Sequence, residues 1–495
     1  MRPDDLFDRD AEWADLERFA TSTAPGVHLG ILYGRRRQGK SFMLRRLAAQ
    51  TGGLYHMAVE EEPGPALQRF ADAMAGGRGL APGQLHVADW ADALRTALAG
   101  DQDPIIIDEL PYLMANAPGR AIPSVLQSLI DAGRDAAATS GGKAESRHVI
   151  VCGSSLSVMS ELLSGTKALR GRAELDIQLH PFDYRQTAEF YGVEDPVAAL
   201  RLYAILGGTP GYRDLLGEAS PQTTEALESL VLDTVGNPSH ALFSEAEYLL
   251  REDPRIVERS LYHSVLGAVA SGAHTPTAVG QRIGRPASAL AHALDVLVTA
   301  GFLLRREDVL RQRRPVLEVA DPIVRFTDLV VGPFRPVYED RRGALALARS
   351  QDTLRSKIYG PTFERVAREW VSRYASPATV GGVPGHVGST VVNDSRGRSQ
   401  FEVDVVALAA DQPLHGPHPR VLAVGEAKDS DAPRTSDDVA RLERIRELLV
   451  ERGVEAAAAR LLIIGRSGFD AGLTKLASSR DDVELVDLAR LRRGE

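Results

Sequence analysis

The chain has 495 residues, 44% hydrophobic and 25% charged, with 58 Lys and Arg against 67 Asp and Glu for a formal charge of −9. That length predicts two to four domains of ordinary apolar content, and the mild acidity excludes a protein that is basic throughout, so nucleic-acid contact would need local basic patches. The lone Cys152 excludes an internal disulfide and a cysteine-built zinc site; no stretch is long and apolar enough to span a membrane, the first residues lack a signal peptide's apolar core, and a reducing cytoplasm is the expected location.

Residues 27–33 form an apolar run that reads as a buried strand, and 42–48 as an amphipathic helix. Between them stands Gly34-Arg35-Arg36-Arg37-Gln38-Gly39-Lys40-Ser41, which satisfies G-x-x-x-x-G-K-[ST]. Strand, glycine loop and helix N-terminus make a phosphate cradle: backbone N–H groups converge on the anion and the helix dipole adds favourable potential. Lys40 is expected to reach the β/γ-phosphates of ATP and the Ser41 hydroxyl to hold Mg²⁺. The wholly apolar run 104–107 ends in Asp108 and Glu109, as suits a strand covered on both faces of a parallel sheet. Ligands gather at the carboxyl ends of such strands. Asp108 is therefore assigned to the Mg²⁺ shell and Glu109 to polarising the attacking water.

A further buried strand at 148–153 leads to Ser154 and Ser155, which either contact the γ-phosphate or its water, or cap the next helix. Arg170 and Arg172 are candidates for stabilising transition-state charge, in cis or across subunits of a homo-oligomer; a solvated arginine explains either equally well. Residues 181–254 turn helical, broken sharply at Leu206-Gly207-Gly208-Thr209-Pro210-Gly211, and read as a lid on the nucleotide domain at 1–180.

Residues 255–335 read as a winged helix: helices at 257–270, 276–283 and 285–300, then strands at 302–306 and 315–319 enclosing Arg305, Arg306, Arg311, Arg313 and Arg314. This basic wing suits backbone-phosphate contact, but Glu307 and Asp308 interrupt it, so a packing module with a solvated loop fits as well. A last unit at 345–495 carries a helix at 363–371 and strands at 401–408 and 421–428. Side chains alternate along a strand, so Glu426 and Lys428 share a face; if the Asp404 strand pairs alongside, Asp404 and Glu426 can share a Mg²⁺. Lys428 then reaches the same centre and Glu364 completes the acidic set, the equipment of metal-assisted phosphodiester hydrolysis. Lysines are scarce here (Lys40, Lys143, Lys167, Lys357, Lys428 and Lys475), which singles out Lys428, although a rim ion pair also accounts for these charges.

These blocks resemble the archaeal-type ATPases of the AAA-like, P-loop superfamily, whose members often end in a PD-(D/E)xK nuclease-like domain. The marks are Phe7-Asp8-Arg9, residues 34–41, Ile107-Asp108-Glu109, Gly153-Ser154-Ser155, Gly207-Gly208-Thr209-Pro210, Ala320-Asp321-Pro322, Phe363-Glu364, Glu402-Val403-Asp404 and Gly425-Glu426-Ala427-Lys428. The resemblance implies an α/β multidomain fold: a parallel P-loop sheet, helical lid, winged helix and restriction-endonuclease-like terminal domain. It implies ATP and Mg²⁺ at Gly39, Lys40, Ser41 and Asp108, catalysis by Glu109, a γ-phosphate sensor near Ser154, and nuclease positions at Asp404, Glu426 and Lys428. Two functions follow: an ATP-driven, metal-dependent DNA-processing enzyme, or a signalling or scaffold ATPase whose nuclease-like domain only binds DNA or partners.

Overall fold

The computed structural model describes residues 2–494 apart from 117, 141–143, 166, 218, 313 and 314; Lys143, Arg313 and Arg314 thus lie outside the described residues. Among the described residues, no helix is long and apolar enough to cross a membrane.

Strands β1 (Gly26–Tyr33), β2 (Leu54–Met57), β3 (Ile105–Asp108), β4 (Ser146–Gly153) and β5 (Ala173–Gln178) form one sheet in the order β2-β3-β4-β1-β5. Every pairing in it is parallel. Both faces are covered, which is why β3 is buried at all four residues and reads as an unbroken apolar run. Ile107 and Leu29 belong to the core on one face, Ile106 and Leu32 to that on the other. This helix-covered parallel sheet with a glycine loop after β1 fits a P-loop NTPase.

Helices Tyr184–Phe190, Pro196–Leu206, Thr224–Asp233 and Glu245–Arg251 fill most of the predicted lid. Its break at Gly207 is a contact with the nucleotide domain: the Gly211 N–H donates to the Arg37 carbonyl at 3.0 Å. A Cβ at Gly211 would sit 2.6 Å from that of Arg37, so a larger residue would push the turn off the loop.

Helices Arg259–Ala270, Pro276–Ile283 and Ala287–Thr299 then precede an antiparallel pair, β6 (Leu303–Arg306) and β7 (Val316–Val319). The first residues after β6 are held against the terminal unit. Val309 is buried in the carboxyl-terminal core, Asp308 accepts a hydrogen bond from Thr390 Oγ1 at 2.7 Å, and His415 Nε2 meets the Asp308 carbonyl at 2.6 Å. Asp308, one of the two acids that break the basic run in sequence, is thus a contact with the terminal unit. The helix before the pair exposes Ser288, His292 and Asp295 and no arginine or lysine of its own.

The last unit holds a separate mixed sheet, β8 (Pro384–Asp394), β9 (Ser399–Ala409), β10 (Val421–Lys428), β11 (Arg460–Gly465) and β12 (Val483–Asp487), in the order β12-β11-β10-β9-β8. Strands β8, β9 and β10 pair antiparallel; β10, β11 and β12 pair parallel. Helix Gly360–Arg373 shares a core with Ala423 and Ala427 of β10, whereas helix Ser436–Glu451 packs with Val424 on the other face. The first of these cores runs without interruption from Tyr184 to Leu491, so lid, three-helix unit and terminal sheet fold onto common apolar ground.

Candidate functional sites

Helix Lys40–Thr51 starts at Gly39, whose φ of +93° is a left-handed conformation natural to glycine, and no side chain caps its first N–H groups. Those donors stay available to an anion. The Lys40 side chain is buried and donates to the carbonyls of Gly34 at 2.7 Å and Arg35 at 2.9 Å, closing the loop on itself.

The loop walls a cavity of 840 Å³, which brings together Arg36, Arg37, Gln38, Gly39, Lys40, Ser41, Glu109 and Ser154. Glu109 has φ +56°, a strained setting for a residue other than glycine. It aims the carboxylate at Ser154, whose N–H and Oγ–H both donate to Glu109 Oε2 at 3.0 Å. Ser155 instead caps the next helix, accepting from the Val158 N–H. Of the serine pair, Ser155 thus caps a helix and Ser154 faces Glu109.

Asp108 is fully buried behind the cavity lining. Its Oδ2 accepts from the Tyr55 hydroxyl at 2.6 Å and its Oδ1 from the Glu109 N–H at 3.0 Å. Arg45 Nε donates to the Tyr55 oxygen at 3.3 Å, linking the cavity rim to the buried acid. Burial and the bond to Asp108 push the Tyr55 hydroxyl pKa far up, so it stays a proton donor. Cys152 lies beneath, and burial with the charge of Asp108 raises its thiol well above the ordinary range, leaving an unreactive core residue.

Sequence reasoning missed the far end of this cavity. Phe7, Phe182 and Phe190 meet there with ring centroids 5.2–5.4 Å apart. The Arg9 guanidinium lies 4.7 Å from the Phe182 ring and that of Arg213 lies 4.9 Å from Phe190. Apolar rings beside cations suit a planar, phosphate-bearing ligand. The signal for Arg213 was its place just after the Gly207–Gly211 break, next to the phosphate loop.

Three expected nucleotide residues lie differently. Arg172 is not brought to this cavity, because its guanidinium forms a two-pronged pair with Asp131 at 3.0 and 2.8 Å. Arg35 turns away to Asp321, at 2.7 Å, and stacks over Phe302. Gly34 contributes a carbonyl to Lys40 rather than lining the space. Arg36 and Arg37 do line it, yet each already pairs with a lid acid, Glu252 and Glu245 respectively.

In the terminal sheet, β9 and β10 place Asp404 and Glu426 side by side, both buried. Lys428 Nζ lies 3.3 Å from Asp404 and 3.0 Å from Glu426, and Arg441 Nε takes the other Glu426 oxygen at 3.2 Å. Burial works against the Lys428 charge, but the two acids outweigh it and hold its pKa above the ordinary value. Glu364, expected to complete the acidic set, lies near enough to Asp404 and Lys428 for their charges to act on it. Among the described residues, no group of three or more His, Cys, Asp or Glu side chains is placed to hold a metal ion. Two acid side chains converging on one cation fit a hard divalent ion with a partly watery shell.

Burial, aided by the charge of Asp404, pushes the Glu364 carboxyl up to about 7. Its folded-state pKa exceeds the ordinary 4.5, so its favourable contribution is complete below that value and is lost as pH rises through 7. Glu364→Gln is expected to leave stability unchanged near pH 4.5 and to raise it by up to about 3 kcal/mol near pH 8, read from urea unfolding. Identical curves at the higher pH would refute this.

No family model matches the chain. An uncharacterized protein of Methanocaldococcus jannaschii is 23% identical over 345 residues, covering 69% of this chain and 72% of that protein. Among solved structures, the Walker-type ATPase of Pyrococcus abyssi aligns at 19% identity and a TM-score of 0.47, over 66% of this chain and 97% of that one. The Aeropyrum pernix ORC2 protein, in ADPNP–ADP complexes, aligns at 16% identity and 0.44, over 70% and 96%. Likenesses this remote leave the functional reading to the residues themselves.

Proposed function

We propose that the chain is an ATP-hydrolysing switch whose nucleotide state is transmitted through the lid to a nuclease-like domain acting on DNA. One observation carries the first half: a single cavity gathers Lys40, the uncapped helix start and the Glu109–Ser154 pair at one end and an aromatic floor at the other. Bound Mg²⁺ would be held through Ser41 and Asp108 and would neutralise phosphate charge. Lys40 leaves the loop carbonyls for the phosphates, Phe182 and Phe190 receive the base, and Glu109 orients the attacking water while Ser154 fixes its carboxylate. Arg213 faces the same space with a cation. Arg170 is exposed and is the arginine that a homo-oligomer would present to a neighbouring subunit.

Glu109→Gln is the test. ATP turnover is expected to fall roughly 10²- to 10⁴-fold while nucleotide affinity stays within a few-fold, because the amide can still accept from Ser154 but cannot serve as a base. Unimpaired turnover would remove Glu109 from catalysis.

Coupling follows from contacts. Arg36 and Arg37 tie the phosphate loop to Glu252 and Glu245 of the lid. Arg201 of lid helix Pro196–Leu206 grips Asp429 through both carboxylate oxygens, one residue past Lys428. We read the three helices with β6 and β7 as a winged helix used chiefly for packing, and Asp404, Glu426 and Lys428 as the cleavage site. Mg²⁺ there would be held by Asp404 and Glu426 and would activate water against a phosphodiester. Lys428 then holds the phosphate. A second reading, a scaffold ATPase whose terminal domain no longer cleaves, is favoured by the neutralisation of both acids by Lys428 and Arg441.

A further inference from the structure

A second cavity, of 670 Å³, lies among the nucleotide domain, lid, three-helix unit and terminal domain. Its size falls within the roughly 300–1,000 Å³ of small-ligand sites. Arg35 and Gln38 of the phosphate loop line it, with Arg305 of β6 and Arg365 of helix Gly360–Arg373. Only Gln38 faces both cavities; Arg36 and Arg37 face the first alone.

The charge balance is positive. Asp321 is the one acidic residue in the lining, and Arg35 already neutralises it at 2.7 Å. Arg305 is left with only a 4.0 Å approach to Glu307, and Arg365 lies over the Tyr203 ring without an acidic partner among the described residues. Hydrogen-bonding capacity is also unspent. Gln38, 3% exposed, has an Oε1 with no partner among the described residues, as have Arg35 Nη2 and Arg365 Nε. Most of the remaining wall is apolar, formed by Leu156, Leu179, Leu303 and Leu304. Buried polar atoms in folded proteins are nearly all paired, with protein, water or a ligand.

We propose that this second cavity binds a nucleotide unit, its phosphate on Arg305 and Arg365 and its base against the apolar wall, within hydrogen-bond reach of Gln38. An anion with a planar, edge-polar body satisfies every unspent feature; a bare phosphate would leave the apolar wall unused. The unit is either a free mononucleotide or one residue of a single strand. Because Gln38 and Arg35 belong to the ATP loop, occupancy here and there is reciprocally coupled. Only that coupling rests on the ATP reading.

The test uses the full chain with saturating ATP, so that the first cavity is filled, and follows the anisotropy of a fluorescein-labelled short oligothymidylate with dTMP as competitor. Binding is expected, and both Arg365→Gln and Leu304→Trp should weaken it at least tenfold. Leu304 is 45% exposed, so the tryptophan fills the cavity mouth without disturbing the core, and this variant decides if Arg365→Gln does not fold. Competition by dTMP identifies the free mononucleotide as the ligand, and its absence identifies the strand. Binding that persists in Lys40→Ala separates this site from the ATP cavity. No binding of either probe, or binding unchanged in Leu304→Trp, overturns the proposal.

Discussion

Lys40→Ala is expected to weaken ATP binding by roughly 100-fold, since two charge-assisted hydrogen bonds to phosphate oxygens at about 1.5 kcal/mol each amount to about 3 kcal/mol. Without nucleotide the same ammonium donates to the Gly34 and Arg35 carbonyls, so the substitution also leaves two loop acceptors unpaired. A loss of unfolding free energy of about 1–3 kcal/mol in the nucleotide-free protein should accompany the loss of affinity. Lys40→Met leaves the same two acceptors unpaired but keeps the buried stem's packing, so the difference between the two variants isolates the packing contribution. Calorimetric titration with a non-hydrolysable ATP analogue reads the affinity. Undiminished binding in both variants would end the assignment of the loop at 34–41 as a phosphate cradle.

Glu426→Ala is expected to abolish Mg²⁺- or Mn²⁺-dependent DNA cleavage, a loss of at least about 3 kcal/mol of transition-state stabilisation or roughly 100-fold in rate. ATP turnover should be nearly unchanged, because among the described residues the ion-pair partners of Glu426, Lys428 and Arg441, both belong to its own unit. The substitution releases two cations that are each more than a third exposed, so solvent absorbs most of the electrostatic cost and the sheet should stay folded. Cleavage that survives in the variant places the activity elsewhere. A native chain inert on a panel of duplex, single-stranded and RNA substrates, with and without ATP, would discard the nuclease and leave the switch reading. The arginine tether from the lid to Asp429 gives that panel its ATP arm, since a coupled site responds to nucleotide and a merely tethered one does not.

The sequence by itself determined the phosphate loop, its flanking strand and helix, and the acid pair after β3. Each is written in consecutive residues: a glycine where the backbone turns left-handed, apolar residues where both sheet faces are covered, charges where a strand emerges. The pairing of Glu426 with Lys428 was legible for the same reason, since period-2 alternation is a local rule. What only the tertiary structure decided lies between residues far apart in the chain. Arg35, Arg36 and Arg37 look equivalent in sequence, yet they go to Asp321, Glu252 and Glu245 on different elements. Arg172 is taken by Asp131, and Asp308, between β6 and β7, is held by Thr390 and His415 of the terminal unit. A guanidinium's partner depends on which carboxylate the global packing brings within about 3 Å, and no local period or motif encodes that distance.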